Sequence, residues 1–521
     1  MFPDLCSRRW FGATALMVFW TWCATALPAQ FAAPAGEGFA DRELLRSGTA
    51  ALDREDPLLA WRTYREVLQK NPDVVDGFVG LGRTHLMLSH PCTSLAYARV
   101  ALAASELRQD AMALSVRAQI KARKFEDAAL AAAAFVARIT APESDLLAAQ
   151  ASALFRIQHT DEAAAAYRCV LQLDPDCPEA HLRLGSGLTA PCTVARDRLV
   201  EQAVALLRQG QLETGIQILR ETLGRNDSNP IAHRLLGEAL FQRRMRNSMA
   251  SQDPAFRRLS LLLTAGLTPE RGLVVDFIPA YSELAGERRR VVDSALGLFM
   301  SRLPRLIALG ARHDLMLETE RTTDADSRAS LRGTRTFDGR VWDDVRGIGG
   351  LQAATGIEAL DEAAQFGFDT LVHEIAHQVH YYALSQRDRI KIRALYTAAR
   401  QASRCIDYYA ATNEAEYFGQ GVEAFASLGK RPGGETTHGH TRFELQRVDP
   451  ALHDFIAAIV DRDPLRNAEL REGVLLAAIE VALRCGRAED ALVASRMLAA
   501  GPLQDECLLR TQVAVRDGTA W

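Results

Sequence analysis

The strongest constraint on the fold of this 521-residue chain is a pattern that recurs about every 34 residues in its first half. Gly48, Ala60, Tyr64 and Pro72 are matched, at the same mutual offsets, by Ala151, Ala163, Tyr167 and Pro175. Leu81-Gly82, Leu184-Gly185 and Leu236-Gly237 mark the first helices of further units. Asn71-Pro72, Asp174-Pro175 and Asn229-Pro230 fall where second helices end. The sequence between them is rich in Ala, Leu and Arg and helical in period. One helical hairpin cannot bury its apolar face alone, so neighbours must stack, and the expected product is a curved solenoid over residues 38–250. The stretch from Leu470 to Ala500 repeats the pattern and predicts a helical hairpin within 466–521.

A second segment carries chemistry. His373-Glu374-Ile375-Ala376-His377 sits among Leu371, Val372 and Val379, in a run that reads as a largely buried helix. Positions i and i+4 share a helix face, so the two imidazoles can grip one metal ion at about 2.0–2.1 Å per nitrogen. Glu374 can reach a metal-bound water as general base. Three ionisable groups on one buried helix are costly unless they are paired or hold a metal.

Two histidines leave a tetrahedral zinc site one protein ligand short. His380 lies on the same stripe but about 10 Å from His373 along the axis, too far to share the ion. A third histidine on the continuing chain would require Gly at 380 and His at 383, where this sequence has His380 and Ala383. His438 and His440, in a Gly-rich stretch, read as solvated loop residues. The remaining candidates are carboxylates in Asn413–Ala426, whose Tyr417, Phe418, Val422 and Phe425 suit a packed helix. Glu416 and Glu423 can both face inward, whereas Glu414 points about 160° away from Glu416. Glu416, before the aromatic pair, is the favoured ligand. Its rival role is partner to an Asn413 N-cap in a capping box.

The repeat residues resemble the tetratricopeptide family. The segments His373–His377 and Asp407–Phe425 resemble the catalytic domain of anthrax-lethal-factor-like gluzincins, over about residues 290–465. Arg346-Gly-Ile-Gly-Gly350 before the histidines, and Thr441–Leu445 with Asp449-Pro450 after them, resemble that family's flanking segments. The resemblance implies a small α+β zincin domain at 256–465, with zinc held by His373, His377 and Glu416. It implies Glu374 as the base and Tyr409 as the group that stabilises the transition state. The chain departs from the family at Gly419-Gln420, where Ala-Glu is usual. Gln420 would then stand beside the ligands with hydrogen bonds to offer but no charge.

The whole chain therefore reads as mostly α, a tetratricopeptide-like solenoid followed by a small zincin domain, and as an exported zinc metallopeptidase. Its expected substrate is a protein or peptide, with a protein partner for the solenoid groove. The alternative is an interaction scaffold with a catalytically impaired zinc domain. Val291–Leu303 predicts a helix ended or kinked at Pro304, Asp314–Glu318 a strand, and Thr336–Val345 a strand or a hairpin about Asp338-Gly339. His313 reads as structural. With 61 Lys and Arg against 65 Asp and Glu, nothing points to nucleic acid. Residues 1–29 read as an export signal, and Ser7-Arg-Arg-Trp-Phe11 resembles the twin-arginine type. The expected location is periplasmic, extracellular or in the cell envelope, with membrane attachment only if the signal stays uncleaved. Nine cysteines, two within the signal, leave an odd number and at least one free thiol.

Overall fold

The computed structural model describes residues 39–54, 56–188, 197–267, 269–362, 368–430 and 440–519. The export segment and His438 lie outside them. Helices Phe39–Asp53 and Pro57–Lys70, Val75–Met87 and Pro91–Ala104, Gln109–Lys121 and Phe125–Val136, and Ser144–Arg156 and Thr160–Leu173 form four successive hairpins. The small residues of the repeat have a packing cause. A Cβ on Gly48 would stand 2.7 Å, and one on Gly80 2.2 Å, from the ring of the buried Tyr64. Prolines open helices at 57, 91 and 178, where the missing N–H costs nothing.

The repeat breaks in the next unit. Helix Pro178–Arg183 runs into a kink at Leu184–Leu188, where Ser186 and Gly187 leave helical backbone, Gly187 at φ +90°. The long helix Pro230–Thr264 packs directly on it: a Cβ on Gly185 would meet Arg234 N at 2.3 Å, and one on Gly237 would meet Leu182 at 2.7 Å. Another side of the long helix, through Leu235, Leu236 and Ala239, buries the hairpin formed by Arg198–Arg208 and Leu212–Arg225. Asn229-Pro230 thus opens a helix rather than ending one. The Asn229 side chain accepts from Ala232 N at 3.1 Å, and Pro230 takes the first turn.

Beyond the long helix lies a three-stranded sheet of order β1-β3-β2, with β1 Arg312–Met316, β2 Gly347–Ile348 and β3 Gln352–Gly356. β1 runs parallel and β2 antiparallel to β3. The strand expected at 314–318 starts two residues early. Of the two forms expected for Thr336–Val345, no strand appears and the turn about Asp338-Gly339 does. It closes as a tight loop at an isolated Arg335–Val341 bridge, with Thr336 N donating to Arg340 O at 2.8 Å and Gly339 at φ +83°. Pro304 does not end the preceding helix. That helix stops at Gly297, and Pro304 sits in the first turn of Leu303–Ala308.

Helices Thr370–Gln378 and Glu414–Ala426 pack together inside one apolar cluster with Phe277, Phe299, Leu371, Ile375, Phe418 and Phe425. The expected C-terminal hairpin forms as Ala468–Arg484 and Ala488–Arg496, turning at Gly486, and a third helix, Pro502–Thr519, follows it. The first buries Val474, Leu475 and Ala478 in a cluster with Phe256 and Leu259 of the long helix. The described cysteines are all free, and Cys405 is buried. No helix among the described residues is long and apolar enough to cross a membrane.

Candidate metal centre

Both ends of helix Thr370–Gln378 are tied down. Asp369 caps it, accepting from Val372 N at 3.0 Å, while its own N–H donates to Glu423 at 2.8 Å. At the other end the Gln378 amide donates to Arg312 O at 2.9 Å. Buried His313 joins Gln378, at 3.1 Å, to Thr355 on β3, at 2.9 Å. Its role is structural.

Between these anchors His373 Nε2 and His377 Nε2 stand 2.9 Å apart, with Glu416 Oε2 3.1 Å from the first and 3.5 Å from the second. These donors lie within 4.8 Å of one another, with both histidines buried and Glu416 nearly so. Ligands about 2.0–2.1 Å from one tetrahedral ion stand about 3.3 Å apart, so all three edges suit such an ion. Two imidazoles and a carboxylate facing each other out of water are satisfied only by shared protons or a cation. Burial acts to raise the Glu416 carboxyl, but hydrogen bonds from both histidines outweigh it and hold it far below the usual range. Burial likewise acts to lower His373, and Glu416 reverses it.

Only half of the capping box forms at Glu416. Asn413 is the N-cap and accepts from Glu416 N at 2.9 Å, yet the Glu416 side chain turns to the histidines. Glu423 is occupied by Lys430 and the Asp369 amide. Glu414 lies 2.9 Å from Arg393 and 3.3 Å from His380, so neither joins the donor set.

Glu374 is buried beside the same cluster, and burial raises its carboxyl pKa. A Cβ on Gly347 would lie 2.7 Å from Glu374 Oε1, and one on Gly349 3.2 Å from Oε2. The glycines of the 346–350 stretch are what lets β2 pass over that carboxylate. Tyr409 packs its ring 5.4 Å from Phe337. Burial first, then the negative charge of Glu416, keeps its hydroxyl protonated well beyond the ordinary range. Gln420 is buried on the ligand helix.

Three features escape sequence reading. Gly419 presses against both imidazoles: a Cβ there would be 2.8 Å from His373 Cε1 and 3.0 Å from His377 Cε1. The Nδ1 atoms of both rings are buried without a hydrogen-bond partner, so packing on Gly419, rather than an outer carboxylate, sets their orientation. Arg340, held by Asp338 at 2.9 Å, acts electrostatically on both Tyr409 and Glu374, and only its place in the tight loop brings it there. His440 is not a solvated loop residue. It lies 3.3 Å from Asp407 and 3.1 Å from Glu444, and those carboxylates overcome burial and push it up to about 9.

Residues 148–186 and 200–244 match the tetratricopeptide repeat family, a class of protein-interaction module. A thermophilic tetratricopeptide protein of Thermus thermophilus is similar at 18% identity, over 39% of this chain and 99% of its own, with a TM-score of 0.27. No curated protein matches the chain. The chain is a mostly helical protein with tetratricopeptide repeats and a three-residue cluster able to hold a metal ion.

Proposed function

We propose that this protein is an exported zinc metallopeptidase of the gluzincin type. The observation that carries the reading is the convergence of His373, His377 and Glu416, with Glu374 and Tyr409 beside them. A zinc ion held by the three donors would polarise the scissile carbonyl and acidify water. Glu374 takes the proton of the attacking water as its oxygen bonds to the carbonyl carbon. It then passes that proton to the leaving nitrogen as the C–N bond breaks. Tyr409, kept protonated, donates a hydrogen bond to the developing oxyanion. β2 is an edge of the sheet and runs directly over Glu374, which suits an extended substrate backbone. The twin-arginine-like segment supports export.

Glu374→Gln tests the assignment: it should retain zinc and lose peptide hydrolysis. A variant that cleaves at the parent rate refutes the role of the base. A second reading, an interaction scaffold with an impaired zinc domain, is favoured by the repeat match and by Gln420 at the family's Glu position.

A further inference from the structure

The short connections inside the solenoid hairpins line up along one edge, and that edge meets the rest of the chain. A Cβ on Gly486, in the C-terminal region, would lie 2.6 Å from Leu88 and 3.1 Å from Pro57. Arg123 donates to Ile406 O at 2.8 Å and to Cys405 O at 3.4 Å. Phe125 meets the Tyr408 ring edge-on at 5.2 Å, and Arg156 both donates to the Tyr408 hydroxyl and lies over its ring. Further along, Gly339 abuts Thr160, Arg335 stands 3.7 Å from Asp161, and Gly187 O accepts from Val341 N at 2.7 Å.

Apart from the one at Gly486, these contacts fall on two segments, 405–408 and 335–341, and Tyr409 sits where they meet. Tyr408 is its neighbour in the chain, and Phe337 packs on its ring. Arg123 stands in the hairpin turn at φ +62°. The equivalent turns of the neighbouring hairpins take the same form, with Ser89 at φ +63° and Gln158 at φ +65°, so the repeat's own connection places Arg123 on this edge.

We infer that the solenoid is a working part of the active site: Arg156, through Tyr408, and Arg123, through the 405–406 backbone, are positioning residues that set the hydroxyl of Tyr409. The inference rests on the peptidase reading above. The edge used is the row of hairpin turns, and its partner is this chain's own reaction centre.

The test compares the full-length parent with Arg156→Ala, Arg156→Lys, Tyr409→Phe and the Arg156→Ala/Tyr409→Phe double variant. Arg138→Ala, an exposed arginine paired with Glu106, is the control. A misplacement of about 1 Å costs on the order of 100-fold in rate, so Arg156→Ala should lose about 10–100-fold in kcat. KM and zinc content should stay within about twofold, and Arg156→Lys should recover part of the loss. In the Tyr409→Phe background the Arg156 change should have no further effect. A fluorine label on the Tyr409 ring should shift in Arg156→Ala whether or not substrate is present. A parent that cleaves while Arg156→Ala matches it, or effects that multiply in the double variant, overturns the inference. A parent that cleaves no peptide sinks the peptidase reading, and an unmoved fluorine resonance then sinks the positioning role separately.

Discussion

Gly419→Ala sets two expectations against each other. The family resemblance places alanine at this position, which expects a silent change. The geometry expects otherwise. The new Cβ would stand 2.8 Å from His373 Cε1, 2.9 Å from its Nδ1 and 3.0 Å from His377 Cε1, against ordinary contact from 3.4 Å. The rings must retreat by about 0.4–0.6 Å, the difference between those figures, or the helix Glu414–Ala426 must move back with Glu416 on it. Neither Nδ1 has a hydrogen bond to resist the shift. Alanine is the better helix former by about 1 kcal/mol, while overpacking costs about 1–3 kcal/mol, so the net change in stability is small, a loss of roughly 0–2 kcal/mol. The metal site takes the larger effect, because all three donors shift relative to one another. Zinc affinity should fall about 10–100-fold, the range seen when the support of a ligating imidazole is disturbed. Competition with a fluorescent chelator measures the affinity, and thermal melts in excess chelator isolate the metal-free stability. A variant that melts higher and binds zinc as tightly as the parent would refute the packing argument.

Glu416→Ala should lower zinc affinity by one to two orders of magnitude and abolish hydrolysis, whereas Glu414→Ala should leave the metal in place; equal zinc contents by elemental analysis would contradict the ligand assignment. His440, raised from the ordinary 6.5 to about 9, binds its proton more tightly folded than unfolded. Its stabilisation, up to roughly 3 kcal/mol, is therefore present below about pH 6.5 and lost as pH rises through 9. Urea unfolding should show His440→Gln far less stable than the parent at pH 6 and level with it near pH 10; a gap independent of pH would exclude the titration. Replacing Arg8 and Arg9 together by lysine should block export along a twin-arginine route, and unchanged export by cell fractionation would leave only the general secretory reading.

What the sequence discloses divides along physical lines. The hairpin repeat is legible because Gly48 and Tyr64 touch across one unit, a contact encoded within a few tens of residues. The break at Gly187 is not, since Gly185 lies against helix Pro230–Thr264 and Gly187 against Val341, both from far along the chain. His373, His377 and Glu374 follow from helical spacing, and Glu416 from its place before the aromatic pair. Gly419 acts by lacking a side chain, which no search for ligands would notice. Arg340 reaches the centre only through a tertiary turn, and His440 looked solvated because its glycine-rich neighbours say nothing of Asp407 and Glu444. Pro304 and Asn229-Pro230 read locally as helix breakers, yet proline is equally at home at a helix start, and local sequence alone does not separate the two uses.

We propose that His373, His377 and Glu416 hold a zinc ion on which peptide hydrolysis depends. The most direct test is to strip the purified protein with a chelator and titrate zinc back while following cleavage of a quenched peptide library. The account predicts no cleavage without metal, a linear rise to one zinc per chain and a plateau beyond it. Cleavage that survives the chelator, or none at any zinc ratio, would contradict it.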